Sequence, residues 1–372
     1  MKFYIIAGEA SGDLHASNLM KELTKLDAGA DFRCWGGDLM ANEGGDLVRH
    51  YRDLAFMGFF EVLVHLRTIM GNIRFCKKDI LSYKPDVLIL VDYPGFNLRI
   101  ARFAHDAGIR VFYYISPQLW AWRSSRVRTI KKNVDRMFVI LPFEKKFYKG
   151  FGYDVDFVGH PLLDVINEDE PLPGRKSFLD KNQLPDRPLI ALLPGSRKQE
   201  IKLMLGTMLE ILPVFSDHHF VIAAAPSISK DFYTSITSGK SVSIVTGQTY
   251  ELLHHSSAAL VTSGTATLET ALMGIPQVVC YKGSQLSYML ARQIVRVSYI
   301  SLVNLIMDRE VIKELIQEKL TPENLETELK KILSGLQRQE ILEAYAHLRE
   351  RLGGRGASAK AALLMIQYLN KN

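Results

Sequence analysis

Short unbroken apolar runs, recurring between helical patterns and stopping at glycine, proline or a polar residue, constrain this chain more than any other feature. In the first half they are FYIIA (3–7), DVLILVD (86–92), VFYYI (111–115) and RMFVIL (136–141). A strand with one wet face alternates polar and apolar residues. Runs without alternation fit strands buried on both faces of a parallel sheet. Helical patterns at about 13–26, 56–83 and 97–108 supply the crossovers that parallel strands require. The rhythm breaks at VINEDEPLPGRKSFLDKNQLPDRP, which reads as a linker with one short helix. It restarts with LIALLPG (189–195), HFVIAAA (219–225), VSIVT (242–246), AALVTSG (258–264) and PQVVCY (276–281), and from about Asn304 the pattern is helical to Asn372. The expectation is an α/β chain with two Rossmann-like domains facing each other across a cleft, at 1–165 and 188–345. A linker at 166–187 joins them, and a helical segment at 346–372 ends the chain.

Composition supports a folded protein of that size. A chain of 372 residues exceeds one ordinary core, and 47% hydrophobic with 23% charged residues excludes a disordered chain. Met1 leads straight into a strand, with no cationic leader and no cleavage site. Cys34, Cys76 and Cys280 are far apart and odd in number, which suggests neither a disulfide framework nor a zinc site. A cytosolic, reduced protein is expected. The net charge of +6 and pI near 9.0 favour anionic partners: nucleotides, phosphorylated lipids, a membrane surface or nucleic acid.

Ligands of such sheets bind outside the carboxyl ends of the strands, so the residues just after each run carry the chemistry. In LLPGSRKQEI, Gly195, Ser196 and Arg197 lead into a helix. The backbone N–H groups there and a guanidinium suit a diphosphate, though a plain turn with a solvent-facing Arg has the same sequence. VTSGTATLE repeats the logic with Ser263, Gly264 and Thr265, and either Thr265 or Thr267 is expected to cap the helix. Glu269 lies one turn in, where it suits two adjacent ribose hydroxyls; a capped helix with an acid near its N-terminus is the plainer alternative. Neither turn is GxGxxG or GxxxxGK[ST], which counts against dehydrogenases and P-loop enzymes.

The first half differs. GEASGD follows strand 3–7 with Glu9, Ser11, Gly12 and Asp13 but no lysine, which argues against nucleotide phosphate and for a hydroxyl-bearing acceptor. DVLILVD ends in Asp92 after five apolar residues, so its carboxyl is expected to be poorly solvated and raised in pKa, as a general base for an alcohol requires. An Asx turn or helix cap is the structural alternative. In SPQLWAWRSSRVRTIKK, Trp120, Trp122 and Arg123 open an aromatic and basic cluster. It would stack on a sugar or hold a phosphate; a solvated basic helix fits equally, and nucleic acid is a minor option.

GEASGD, DYPGFN, SPQLWAWR, LPFEKKFY, VGHPLLD, LLPGSRKQEI and SGTATLE, in this order over roughly residues 3 to 320, resemble the lipid-A-disaccharide synthase family. The resemblance implies a GT-B glycosyltransferase fold and inverting transfer with no cofactor and no essential metal. The implied donor is UDP-2,3-diacylglucosamine, and the implied acceptor is 2,3-diacylglucosamine 1-phosphate. It places the acceptor in the first domain and the UDP-sugar in the second. It also implies work at the cytoplasmic surface of the inner membrane without nucleic acid, and is compatible with a homodimer. Carried over by position, Asp92 matches the essential acid, Arg197 the arginine near the diphosphate, Asn304 and Gln317 polar residues of the same site, and Glu9 and Ser11 the GEASGD loop. Many members have a second Asp where this chain has Gly95, which leaves Asp92 as the acid of that stretch. Residues 55–78, with Phe56, Met57, Phe59, Phe60, Leu63, Ile69 and Met70 beside Arg67, Arg74, Lys77 and Lys78, are expected to lie partly on the membrane; a buried crossover helix is the other reading. Other GT-B enzymes of UDP-N-acetylglucosamine (the peptidoglycan transferase or the 2-epimerase) and a non-catalytic nucleotide- or RNA-binding protein are the rival readings.

Overall fold

The computed structural model describes residues 1–53, 66–122, 124–166, 172–283 and 298–371. The chain forms two compact units, Met1–Asp164 with Leu352–Asn372, and Val165–Arg351.

The first unit is built on a sheet of β1 (Lys2–Ala7), β2 (Asp31–Gly36), β3 (Asp46–His50), β4 (Val87–Val91), β5 (Arg110–Tyr114), β6 (Arg136–Val139) and β7 (Asp156–Phe157). Their order is β3-β2-β1-β4-β5-β6-β7, and every pairing is parallel. All five β4 side chains are buried, as an unalternating run requires. Tyr4, Ile6, Leu88, Leu90 and Tyr113 pack under helices Leu66–Tyr83 and Pro94–Asp106. On the other face Phe3, Ile5, Val87, Ile89 and Tyr114 meet helix Ala10–Leu26 and helix Ala357–Asn370. The helical tail expected from 346 therefore divides. Helix Leu336–Arg351 stays with the second unit, while Ala361, Ala362 and Met365 cover the first sheet.

The second unit holds β8 (Leu189–Leu193), β9 (His219–Ala224), β10 (Val242–Thr246), β11 (Ser256–Thr262), β12 (Gln277–Tyr281) and β13 (Glu314–Ile316), in the order β10-β9-β8-β11-β12-β13. Helix Arg175–Asn182, in the stretch read as linker, buries Phe178 and Leu179 in this unit's core. Both sheets thus follow the doubly wound order, reversing direction at β1/β4 and at β8/β11. These are the switch points at which such sheets bind ligands. β13 interrupts the expected all-helical C-terminal stretch: it is three residues long and carries an acid, so no apolar run marks it.

Candidate functional site

At the first switch point Ala7 pairs with Val91, so Gly8 and Asp92 leave the sheet side by side. The glycine-rich loop is shorter than expected, because Glu9 is already the N-cap of helix Ala10–Leu26. Ser11 is exposed in its first turn, and Gly12 is buried against Ala7. Asp13 is buried. Its carboxylate accepts from the N–H groups of Gly37 (2.7 Å), Leu39 (3.2 Å) and Met40 (3.2 Å), and so satisfies the start of helix Asp38–Asn42.

Asp92 is half-buried and does not cap the next helix; Tyr93 is its N-cap, with Pro94 in the first turn. Burial and the nearby Glu9 charge raise the Asp92 carboxyl to about 6, with the Tyr93 N–H countering a little. Asp92 and Tyr93 both adopt left-handed backbone, at φ +42 and +47. That costs about 1–2 kcal/mol per residue, whereas burying each aliphatic side chain of β4 yields about 1.5–3 kcal/mol, so the strand outweighs the strain. Glycine is required at position 8, where a Cβ would lie 2.3 Å from Cγ of Tyr93.

At the second switch point Val261 pairs with Leu193. Gly195, at φ +108, turns the chain where a Cβ would come within 3.1 Å of Glu200 Oε2. Ser196 and Arg197 are exposed, and Arg197 is the N-cap of helix Lys198–Glu210. Its guanidinium meets Glu200 at 2.8 Å, a partner the sequence did not single out. Ser263 donates to the Ile300 carbonyl at 2.9 Å. Gly264 and Thr265 are exposed. The expected threonine cap is not formed: Gly264 is the N-cap, and the buried Thr267 hydroxyl instead donates to the Gly264 carbonyl at 2.8 Å. Glu269 accepts from the Tyr250 hydroxyl at 3.3 Å, and burial raises its pKa.

Two expected contacts lie inside the fold. Asn304 has no exposed surface. Its Nδ2 donates to Ile312 O and Glu314 Oε1, both at 2.9 Å, and its Oδ1 accepts from the N–H groups of Val311 (2.8 Å) and Ile312 (3.0 Å). Glu314 is further held by the N–H groups of Ile300 and Ser301, each at 3.0 Å, and by the Ser301 hydroxyl at 2.7 Å. Gln317 is also buried, and its amide pairs with both backbone groups of Gly283 at 3.2 Å. Both side chains tie together the segments next to the second switch point.

Trp120 stacks edge-on against Phe143, 4.9 Å between ring centres. It adjoins buried Glu144, whose carboxyl is pushed to about 7 by burial, although the Leu141 and Ile140 N–H groups, Ser116 and Trp120 favour its charge. Arg123 lies outside the described residues, as do 54–65, which carry most of the apolar side chains expected at the membrane. Helix Leu66–Tyr83 exposes Arg67, Met70, Arg74, Phe75, Lys78 and Leu81 and no acid. Among the described residues no helix is long and apolar enough to cross a membrane, and no cluster of His, Cys, Asp and Glu is placed to hold a metal ion.

The family model described as lipid-A-disaccharide synthetase matches residues 3–367. The lipid-A-disaccharide synthase of Syntrophus aciditrophicus is 41% identical over 376 residues, covering 99% of this chain and 98% of that one. That of Myxococcus xanthus is 38% identical over 375 residues, covering 99% and 97%. Among solved structures, the UDP-GlcNAc 2-epimerase of Neisseria meningitidis, bound to UDP-GlcNAc, aligns over all of both chains with a TM-score of 0.68 at 14% identity. The glycotransferase of kitacinnamycin aligns over 98% of each chain with a TM-score of 0.66, also at 14% identity. At that identity the likeness is one of fold alone, whereas the sequence relatives share the whole chain. With its two doubly wound sheets, the chain belongs to the lipid-A-disaccharide synthase family of GT-B glycosyltransferases.

Proposed function

We propose that this chain joins UDP-2,3-diacylglucosamine to 2,3-diacylglucosamine 1-phosphate, giving a β-1,6-linked disaccharide 1-phosphate and UDP. The acceptor 6-hydroxyl oxygen forms its bond to the donor anomeric carbon as the bond from that carbon to the UDP oxygen breaks. The hydroxyl proton passes to Asp92, and a single displacement inverts the anomeric centre. The observation that carries this reading is Asp92 itself: a half-buried acid at the β1/β4 switch point, not used as a helix cap, whose pKa of about 6 suits proton uptake near neutrality. Glu9 supports it through its charge.

UDP is assigned to the second unit. The exposed turns Gly195–Arg197 and Ser263–Thr265 offer backbone N–H groups and a guanidinium for the diphosphate, and Glu269 with Tyr250 offers a ribose contact. Arg197 exchanges its Glu200 partner for phosphate oxygens, which stabilises the leaving group. The exposed stripe of Arg67, Met70, Arg74, Phe75, Lys78 and Leu81 suits the cytoplasmic surface of the inner membrane, where apolar side chains enter the acyl boundary and cations meet anionic headgroups.

The experiment is incubation with both acylated substrates and detection of disaccharide and UDP by mass spectrometry. Disaccharide and UDP formed together support the reading. No disaccharide, with free N-acetylmannosamine released from UDP-N-acetylglucosamine, overturns it in favour of an epimerase.

A further inference from the structure

Asp92 and Tyr93 are consecutive non-glycine residues in left-handed backbone. Such a peptide persists only where the surroundings over-determine it, and here the fixing groups are identifiable. The Asp92 carbonyl accepts two hydrogen bonds, one from the Tyr113 hydroxyl and one from Asn97 Nδ2 at 2.8 Å. The same Asn97 nitrogen faces the carbonyls of Val91 at 3.2 Å and Ile6 at 3.5 Å, so it reads the ends of β1 and β4 together. The Asp92 N–H donates to the Tyr114 carbonyl at 3.2 Å. Tyr113 and Asn97 are fully buried, one on β5 and the other on helix Pro94–Asp106. From the β1 side the Tyr93 ring lies over Gly8, and it stacks on Phe96 with ring centres 5.7 Å apart.

A tyrosine in the middle of a sheet ordinarily contributes ring packing, and its hydroxyl takes whichever acceptor is near. Here the acceptor is the carbonyl of the residue proposed to take the proton, and the same carbonyl is shared with the motif asparagine. Rotation of the Asp92–Tyr93 peptide toward extended or right-handed backbone would break both bonds and swing the carboxyl away from the switch point.

We propose that Tyr113 and Asn97 are positioning residues for Asp92: their hydrogen bonds to its main-chain carbonyl hold the left-handed peptide that aims its carboxyl at the acceptor hydroxyl. This rests on Asp92 being the base. Neither residue touches substrate; both act through the Asp92 backbone.

The test uses the full chain with Tyr113→Phe, Asn97→Ala, Asp92→Asn and the double variant Asp92→Asn/Tyr113→Phe. Tyr113→Phe removes one hydroxyl and keeps the ring. Its kcat should fall about 10- to 100-fold, the scale of a slightly misplaced reacting group, while KM for the UDP-sugar stays within about twofold. Asn97→Ala should show the same split. In the double variant the Tyr113 change should cost nothing beyond Asp92→Asn alone, because there is no carboxyl left to aim. If Asp92→Asn is inactive while Tyr113→Phe turns over like wild type, the positioning role is overturned and the base stands. Equal losses from Tyr113→Phe with and without Asp92 overturn it too, as does collapse of the melting transition in both Tyr113→Phe and Asn97→Ala, since either marks a residue needed for the fold alone. Normal turnover of Asp92→Asn instead overturns the reading of Asp92 as base.

Discussion

The two sheets share one strand order, yet their switch points carry opposite chemistry. At β1/β4 two acids, Glu9 and Asp92, stand together, and the backbone beneath Asp92 is strained. At β8/β11 the exposed positions are glycine, hydroxyls and an arginine, and the nearby buried acid Glu314 is surrounded by donors. A carboxylate held by several donors is a fixed part of the scaffold. One that is desolvated beside a like charge is poised to take a proton. Topology therefore supplies two equivalent ledges, and the residues just after the strands give acids to one and glycine, hydroxyl and guanidinium groups to the other, which is the ground for proposing a proton acceptor at the first and an anion site at the second.

The hardest test of this division is Asp92→Asn. It keeps the side-chain shape and removes the proton acceptor, so turnover should fall by roughly 100- to 10,000-fold. UDP affinity, measured by calorimetry, should stay at the wild-type value because the anion ledge is untouched. A parallel loss of UDP binding would show that the two ledges do not divide the work.

Arg197→Ala tests the other ledge. Losing a charge-assisted contact worth about 1.5–3 kcal/mol should weaken UDP binding by roughly 10- to 100-fold. The melting temperature should barely move, because the Arg197–Glu200 pair is exposed and such pairs contribute little to stability. Wild-type UDP affinity would remove the guanidinium from the anion ledge.

A smaller effect is expected outside both ledges. Met70, Phe75 and Leu81 are 44%, 42% and 51% exposed on helix Leu66–Tyr83, so replacing them together with Ser should leave the fold intact. Binding to vesicles containing anionic lipid should fall several-fold, at about 25 cal/mol per Å² of apolar area no longer buried. Unchanged vesicle binding in sedimentation would dismiss the stripe as a membrane face.

How much of this the sequence discloses depends on range. β1, β4, β5, β6, β8, β9, β11 and β12 announce themselves as apolar runs, because burial on both faces leaves little room for polar residues, and β10 does so although it is a half-buried edge strand. β2 (DFRCWG) and β3 (DLVRH) do not, since Arg33 and Arg49 break the pattern. Asp92 and the two turns stand out in the sequence as candidates because the signal is local: a run ends and a polar residue follows. Asp13 looks equally functional in GEASGD, but it serves the backbone of residues 37–40, a contact that local pattern cannot show. Asn304 and Gln317 enter only through the family resemblance, and their burial rests on contacts that local pattern does not show; Tyr113, proposed above to position Asp92, reads in the sequence as an ordinary core aromatic.

The smallest effect reverses the usual sign of a mutation at a buried polar site. The raised pKa of Asp92, about 6 against 3.8 unperturbed, means that the folded state holds its proton more tightly than the unfolded state does. Its stabilising contribution is therefore fully present below about pH 4 and is lost as pH rises through about 6. At pH 7.5 the ionised carboxylate is a net penalty, at most about 3 kcal/mol, and Asn removes it. Asp92→Asn should then melt higher than wild type at pH 7.5, by about 2–4 °C per kcal/mol for a domain of this size. The difference should shrink toward zero at pH 4.5. Both proteins should be weaker in acid, because burial holds His15 near 4 and His160 near 3, and forcing neutral histidines into a fold loses stability as pH falls below about 6.5. That loss is common to both and cancels in the comparison. A higher melting point together with a large loss of turnover is the signature of a strained functional acid. A lower melting point at pH 7.5 would place Asp92 among the scaffold acids, beside Glu314 and Asp13.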